Sequence, residues 1–115
     1  MQIGIVMLGV EDMAKSLAFY RDRIGLAVKG QMDAFAFLDA GPVTLCLSAA
    51  LAKASANITG ATEIVFPVES VRIACKALQD KGVTFSIEPR NVAGPNWAAN
   101  FTDPDGHKLS IFGPE

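Results

Sequence analysis

The 115-residue sequence predicts an α+β fold built from two βαβββ modules in succession. Three observations predict it. A pattern that begins at Ile5 returns, offset by 58 residues, at Glu63. Each copy holds one amphipathic stretch with a capping residue before it and a glycine after it. Each amphipathic stretch is followed by three short β-rich runs separated by turn residues.

In the first copy the apolar run from Ile5 reads as a strand. Asp12 reads as a helix N-cap, since its carboxylate can accept the free N–H groups of a first turn. Met13, Leu17, Tyr20 and Ile24 then keep to one helical face, and Gly25 sits where a left-handed residue would end the helix. The runs "LAVKG", "AFAFLDA" and "VTLCLS" follow, broken at "GQMD" and "DAGP". "AALAKASANITGA", residues 49–61, is rich in small residues and reads as a linker.

The second copy repeats these events. A strand starts at Glu63, Ser70 caps a helix, and Val71, Ala74, Cys75 and Leu78 form its apolar face before Gly82 closes it. Cys75 therefore belongs to a core-facing helix side. "VTFSI", "NWAANFT" and "KLSIF" follow, broken at "EPRNVAGPN" and "DPDG". Val10 falls on Val68, Glu11 on Glu69 and Tyr20 on Leu78, but Gly25 meets Gly82 only after a one-residue deletion. One βαβββ unit covers one sheet face with its helix and leaves the other bare. Two units, of one chain or of two, must therefore close around each other. The expected organisation is a single domain over 1–115, with module one at about 1–50, a linker at about 51–61 and module two at about 62–115.

Half of the residues are hydrophobic and the net charge is −2, which argues against disorder and against a charged tail. No Lys/Arg cluster is interleaved with aromatics, so no nucleic-acid partner is expected. No apolar run approaches a membrane span, so no membrane partner is expected either. "MQIGIVMLGVED" lacks a basic n-region and meets Glu11 and Asp12 too early for a secretory signal. A soluble, cytoplasmic protein with reduced thiols is the expectation. Cys46 and Cys75 form neither a metal-spacing motif nor a disulfide framework. "NIT" at Asn57 matches a glycosylation sequon, which without secretion is chance.

Three stretches in combination, "VEDMAKSLAFYRDRIGL" (10–26), "FPVESV" (66–71) and "FTDPDGHKLSIF" (101–112), resemble the vicinal oxygen chelate superfamily. This is the glyoxalase, bleomycin-resistance and extradiol-dioxygenase group. The resemblance implies modules paired edge to edge, a cupped mixed sheet, and a homodimer. It also implies a place for a divalent cation, held in catalytic relatives by one His, Glu or Gln from each of four strands. Carried over one by one, those positions fall on Ile5, near Cys46, on Glu63 and on Ser110. Ile5 cannot coordinate, and neutral Ser110 is a poor ligand. That leaves a thiol and a carboxylate where three or four protein ligands are needed. His107 stands where relatives usually have Asn, at the rim. Neither a metal nor another cofactor is expected.

The same register, with strand alternation, turns Ile5, Met7, Cys46, Glu63, Val65, Ser110 and Phe112 toward the cup. Phe35 and Phe37 share one face of their strand and either join these residues or pack the helix on the other side. Trp97, the single tryptophan, is either a core residue or a ring that stacks on a planar ligand at the rim. Asn96 and Asn100 either orient a ligand or cap turns. Arg90 either closes over an anionic or planar ligand or stays an exposed loop residue. Glu63 is either an edge carboxylate in solvent or an acid in an apolar cup, pairing with a cationic group or acting as a base.

No nucleophile–base pair is evident. The expected function is therefore a metal-free protein that sequesters a planar or partly apolar small-molecule ligand. The alternative is a glyoxalase-like lyase or isomerase with an atypical metal site or with Glu63, the only catalytic candidate, as base. A degenerate module with a collapsed pocket is the third reading. "FTDPDGHKLSIF" itself reads as a hairpin, in which Asp103 bonds back to the turn, Gly106 takes positive φ and His107 enters the strand at the surface.

Overall fold

A computed structural model of the chain describes residues 1–54 and 62–115. They belong to two compact units, Met1–Thr59 and Gly60–Glu115. Asn57 and most of the stretch read as a linker lie outside the described residues.

The first unit contains β1 (Ile5–Gly9), α1 (Met13–Leu17), β2 (Val28–Met32), β3 (Phe35–Asp39), β4 (Thr44–Ser48) and α2 (Ala49–Ala54). The second contains β5 (Glu63–Pro67), α3 (Val71–Asp80), β6 (Phe85–Ala93), β7 (Asn96–Thr102) and β8 (Lys108–Pro114). The sheet orders are β1-β4-β3-β2 and β5-β8-β7-β6, the same arrangement twice. In each, the first strand pairs parallel with the last and the other pairs are antiparallel. The repeat in the sequence is thus a repeat of topology, and the α+β fold of two βαβββ modules is what forms.

Both helix starts follow from their caps. Asp12 Oδ1 accepts from the Lys15 N–H at 3.1 Å, and Ser70 Oγ from the Ile73 N–H at 3.2 Å. Each such cap contributes about 1 kcal/mol. Gly25 and Gly82, both at φ 93°, end the helices in the left-handed conformation that glycine adopts without a Cβ clash. The helices differ in one respect. Gly25 follows Asp12 by 13 residues, whereas Gly82 follows Ser70 by 12. The extra residue is absorbed by widening: α1 runs on as a π-helix over Ala18–Ile24, and Tyr20 O accepts from both Gly25 and Leu26 at 3.0 and 2.9 Å. Phe19 and Tyr20 consequently both turn inward, their rings 5.1 Å apart edge to face.

Strand alternation splits each sheet into a covered and an open face. In the first unit Leu8, Ala36, Leu38, Leu45 and Leu47 are buried and share a face, with Leu17, Phe19 and Tyr20 completing the core. In the second unit Ala99, Phe101, Leu109 and Ile111 do the same with Val71 and Cys75 of α3. Burying each large side chain of this kind contributes about 1.5–3 kcal/mol.

Two segments depart from the sequence reading. Residues 49–54, read as linker, form α2, because Ser48 Oγ accepts from the Leu51 N–H at 2.9 Å and Ala52 packs on Gly9. "EPRNVAGPN", read as a break, belongs mostly to β6. Pro89 lacks an N–H, but β6 is an edge strand, and its register shifts between Ile87 and Arg90. A bulge at an edge is where a sheet accepts proline.

Candidate functional site

The open face of the second unit carries a connected polar group. In register, Glu63 on β5 lies beside Lys108 on β8, and Ser110 faces Asn100 on β7, which faces Ile87 on β6. Period-2 alternation therefore puts Glu63, Ser110 and Asn100 on one side of the sheet. Ser110 Oγ donates to Glu63 Oε2 at 3.1 Å, and Asn100 Nδ2 donates to Glu63 Oε1 at 3.1 Å. Arg90 Nη1 donates to Asn100 Oδ1 at 2.9 Å and to the Ala98 carbonyl at 3.3 Å. Because a guanidinium can only donate, it turns the Asn100 oxygen toward itself and the amide NH₂ toward Glu63. Glu63, Arg90 and Asn100 line a cavity of about 390 Å³, together with Ile87, Thr102 and Lys108. Val65 and Phe112, of the same parity, expose apolar surface on this face.

The open face of the first unit carries an apolar cluster. Met7, Cys46 and Phe37 pair across β1, β4 and β3, with Phe35 opposite Ser48. The half-buried Phe35 and Phe37 rings are stacked, 6.5 Å between centroids. This register settles the alternative for the two phenylalanines: they lie opposite Ala36 and Leu38, on the face away from the core. Cys46 is 0% exposed and so offers a ligand no surface, a correction to its reading as a pocket contact.

Two further placements correct the sequence reading. Trp97 pairs with Gly113, so it shares parity with Ala99 and Phe101, not with Asn100 and Ser110. Its ring lies under the Arg72 guanidinium of α3, 4.7 Å from the centroid, on the helix side of the sheet. Trp97 therefore cannot stack on a ligand held beside Glu63. His107 is 9% exposed, not a surface residue. Asp103 Oδ1 accepts from the His107 N–H at 2.8 Å and from the Asp105 N–H at 3.0 Å, closing the turn with Gly106 at φ 88°. That turn delivers His107 with the parity of Leu109, away from Glu63.

Ile87 and Lys108 were not singled out from the sequence, although Lys108 stands two residues before Ser110. Alternation from Ser110 alone would have found Lys108. Ile87 needed the β6 bulge to be known.

A divalent cation at the place the resemblance implies would need donors from Ile5, Cys46, Glu63 and Ser110. Ile5 is aliphatic and 55% exposed, and the Cys46 thiol is pushed up in pKa by burial. Ser110, at 3% exposure, spends its hydroxyl proton on Glu63, the carboxylate it would have to assist. Among the described residues no three His, Cys, Asp or Glu side chains are grouped to hold a metal ion. The residues at those positions do not fit a divalent cation.

Cys75 is likewise pushed up, by burial first and by the charge of Glu88 second. A thiol with a raised folded pKa contributes stability that is present below the ordinary thiol pKa and is lost as pH rises through the raised value. Native protein is expected to leave both thiols unlabelled by Ellman's reagent at pH 8, and denatured protein to release two equivalents of chromophore. Rapid labelling of either thiol in native protein would contradict the burial.

Among the described residues no helix is long and apolar enough to cross a membrane. Comparison with known proteins agrees with the architecture. The family model Glyoxalase/Bleomycin resistance protein/Dioxygenase superfamily matches residues 2–111. The chain is 29% identical over 108 residues to the glutathione transferase FosA of Serratia marcescens, covering 90% of this chain and 74% of that protein. Its fold is similar to that of TnmS3, an antibiotic binding protein from Streptomyces sp. CB03234, at TM-score 0.82 and 20% identity, covering 100% of this chain and 97% of that one. Lactoylglutathione lyase from Agrobacterium tumefaciens is similar at TM-score 0.80 and 17% identity, covering 96% and 92%. At such identities the two structures speak to the fold alone.

Proposed function

The chain belongs to the Glyoxalase/Bleomycin resistance protein/Dioxygenase superfamily, and from that premise we propose that it binds a planar or partly apolar small molecule without a metal. The observation that carries this reading is the engagement of Glu63. Its two oxygens accept from Ser110 and Asn100, so the carboxylate position of the family's metal site is built into a protein hydrogen-bond network. Val65, Ile87 and Phe112 supply exposed apolar surface beside that network, and a fold neighbour is named as an antibiotic binding protein. The proposed protein is cytoplasmic and a homodimer, the latter to be checked by sedimentation velocity.

Calorimetric titration of the purified protein with planar antibiotics, with and without EDTA, tests the proposal. Saturable binding unaffected by EDTA is expected, and Glu63→Ala should weaken it about tenfold. Stoichiometric uptake of Ni²⁺ or Zn²⁺ that is required for ligand binding, and lost in Glu63→Ala, would overturn it. The second reading is a lyase or isomerase with Glu63 as base. It is favoured by the exposure of Glu63 at the cavity wall, and turnover of lactoylglutathione lost in Glu63→Gln would establish it.

A further inference from the structure

In the second unit's cavity the Arg90 guanidinium and the Glu63 carboxylate bond opposite ends of the Asn100 amide. We propose that the cavity selects a small molecule carrying a carboxylate at one end and an ammonium at the other, an inference that rests on the cavity being the ligand site.

The anionic end of the ligand is read by Arg90. Its guanidinium has five N–H donors in a fixed fork. Nη1 spends both of its hydrogens, one on the Ala98 carbonyl and one on Asn100 Oδ1. The Nε and Nη2 edge has no protein partner among the described residues. Two parallel N–H groups on that edge match the two oxygens of a carboxylate. The bonds through Nη1 also fix the plane of the fork before a ligand arrives, which lowers the entropic cost of binding. Lys108 lines the same cavity but stands beside Glu63 in register, so the anion is read by the Arg90 fork alone.

The other end is read by Glu63. An ionised carboxylate offers about four acceptor sites, of which Ser110 and Asn100 take two. The remaining lone pairs stand at an exposed cavity wall and call for a donor, most strongly for a charged one. Arg90 and Glu63 are separated by the amide of Asn100, which bonds one with its oxygen and the other with its nitrogen. A ligand that reaches both must hold its charges apart on a spacer, since an α-amino acid has both on one carbon. Ile87, an exposed apolar member of the lining, suits a spacer that is itself apolar.

A planar zwitterion, 4-(aminomethyl)benzoate, probes this arrangement against 4-(aminomethyl)benzamide, which lacks the carboxylate, and 4-methylbenzoate, which lacks the ammonium. In titrations followed by amide NMR shifts, the zwitterion is expected to bind one per chain, and each control about tenfold more weakly. Arg90→Lys keeps the charge but loses the fork, and should weaken the two carboxylates about tenfold while leaving the benzamide unchanged. Glu63→Gln should erase the preference for the ammonium. Equal affinity of zwitterion and benzamide, or indifference of the carboxylates to Arg90→Lys, would overturn the inference. If neutral planar compounds bind while the zwitterion does not, the inference falls and the proposed function stands. If neither binds, both fall.

Discussion

Gly113→Ala is expected to destabilise the protein by about 3 kcal/mol or more, the upper part of the range for overpacking. A Cβ at this position would stand 2.1 Å from the Val68 carbonyl oxygen and 3.2 Å from its carbon. Neither side can yield cheaply. The Val68 N–H donates to Phe112 O at 2.9 Å, just before the glycine. Beyond it, the Arg72 N–H and Ser70 Oγ both donate to Glu115 O at 2.9 Å. The contact thus joins backbone to backbone between the end of β8 and the entry to α3, with hydrogen bonds on either flank. Gly113 also has φ 156°, which a side chain disfavours. Urea denaturation checks the expectation, with Gly30→Ala as the control because nothing lies within 4 Å of its Cβ. A loss under about 1 kcal/mol in Gly113→Ala would mean that the strand end can shift and that the close approach is not fixed.

Phe101→Ala should cost about 3–5 kcal/mol, the range for emptying a buried aromatic site. Phe101 is 1% exposed, and its ring centroid lies 5.1 Å from that of Phe85, its register partner. The adjacent residue behaves differently. Asn100 points to the open face, so Asn100→Ala removes hydrogen bonds to Arg90 and Glu63 and should cost only about 1 kcal/mol. It should nevertheless weaken ligand binding at the cavity, which Phe101→Leu should largely preserve. Denaturation midpoints for the three variants, read beside ligand titrations, separate the two faces of β7. Equal destabilisation by Asn100→Ala and Phe101→Ala would contradict the assignment of faces.

Much of the fold was legible because its signals are local. Asp12, Ser70, Gly25 and Gly82 act within one helical turn of themselves, and all four take the cap and left-handed roles read from the sequence. Asp103 and Gly106 close their turn by the same kind of short-range bond. Even the π-helix left a trace, as the one-residue mismatch between the two helices. The candidate site was less legible. Glu63 and Ser110 were named for their positions in a family pattern, but the Asn100 bridge between Glu63 and Arg90 joins strands far apart in sequence.

By itself, the sequence determined the repeat and the limits of the helix in each module, since these depend on residue type and short spacing. Only the tertiary structure decided which way Trp97, His107, Phe35 and Phe37 face. In a strand the side-chain period is two, so a register uncertain by one residue leaves the face undecided. Trp97 shows the consequence: its two readings differ by one position of register, and pairing with Gly113 sets it beneath Arg72 on the covered side, while Asn100 and Ser110 carry the polar network on the other face.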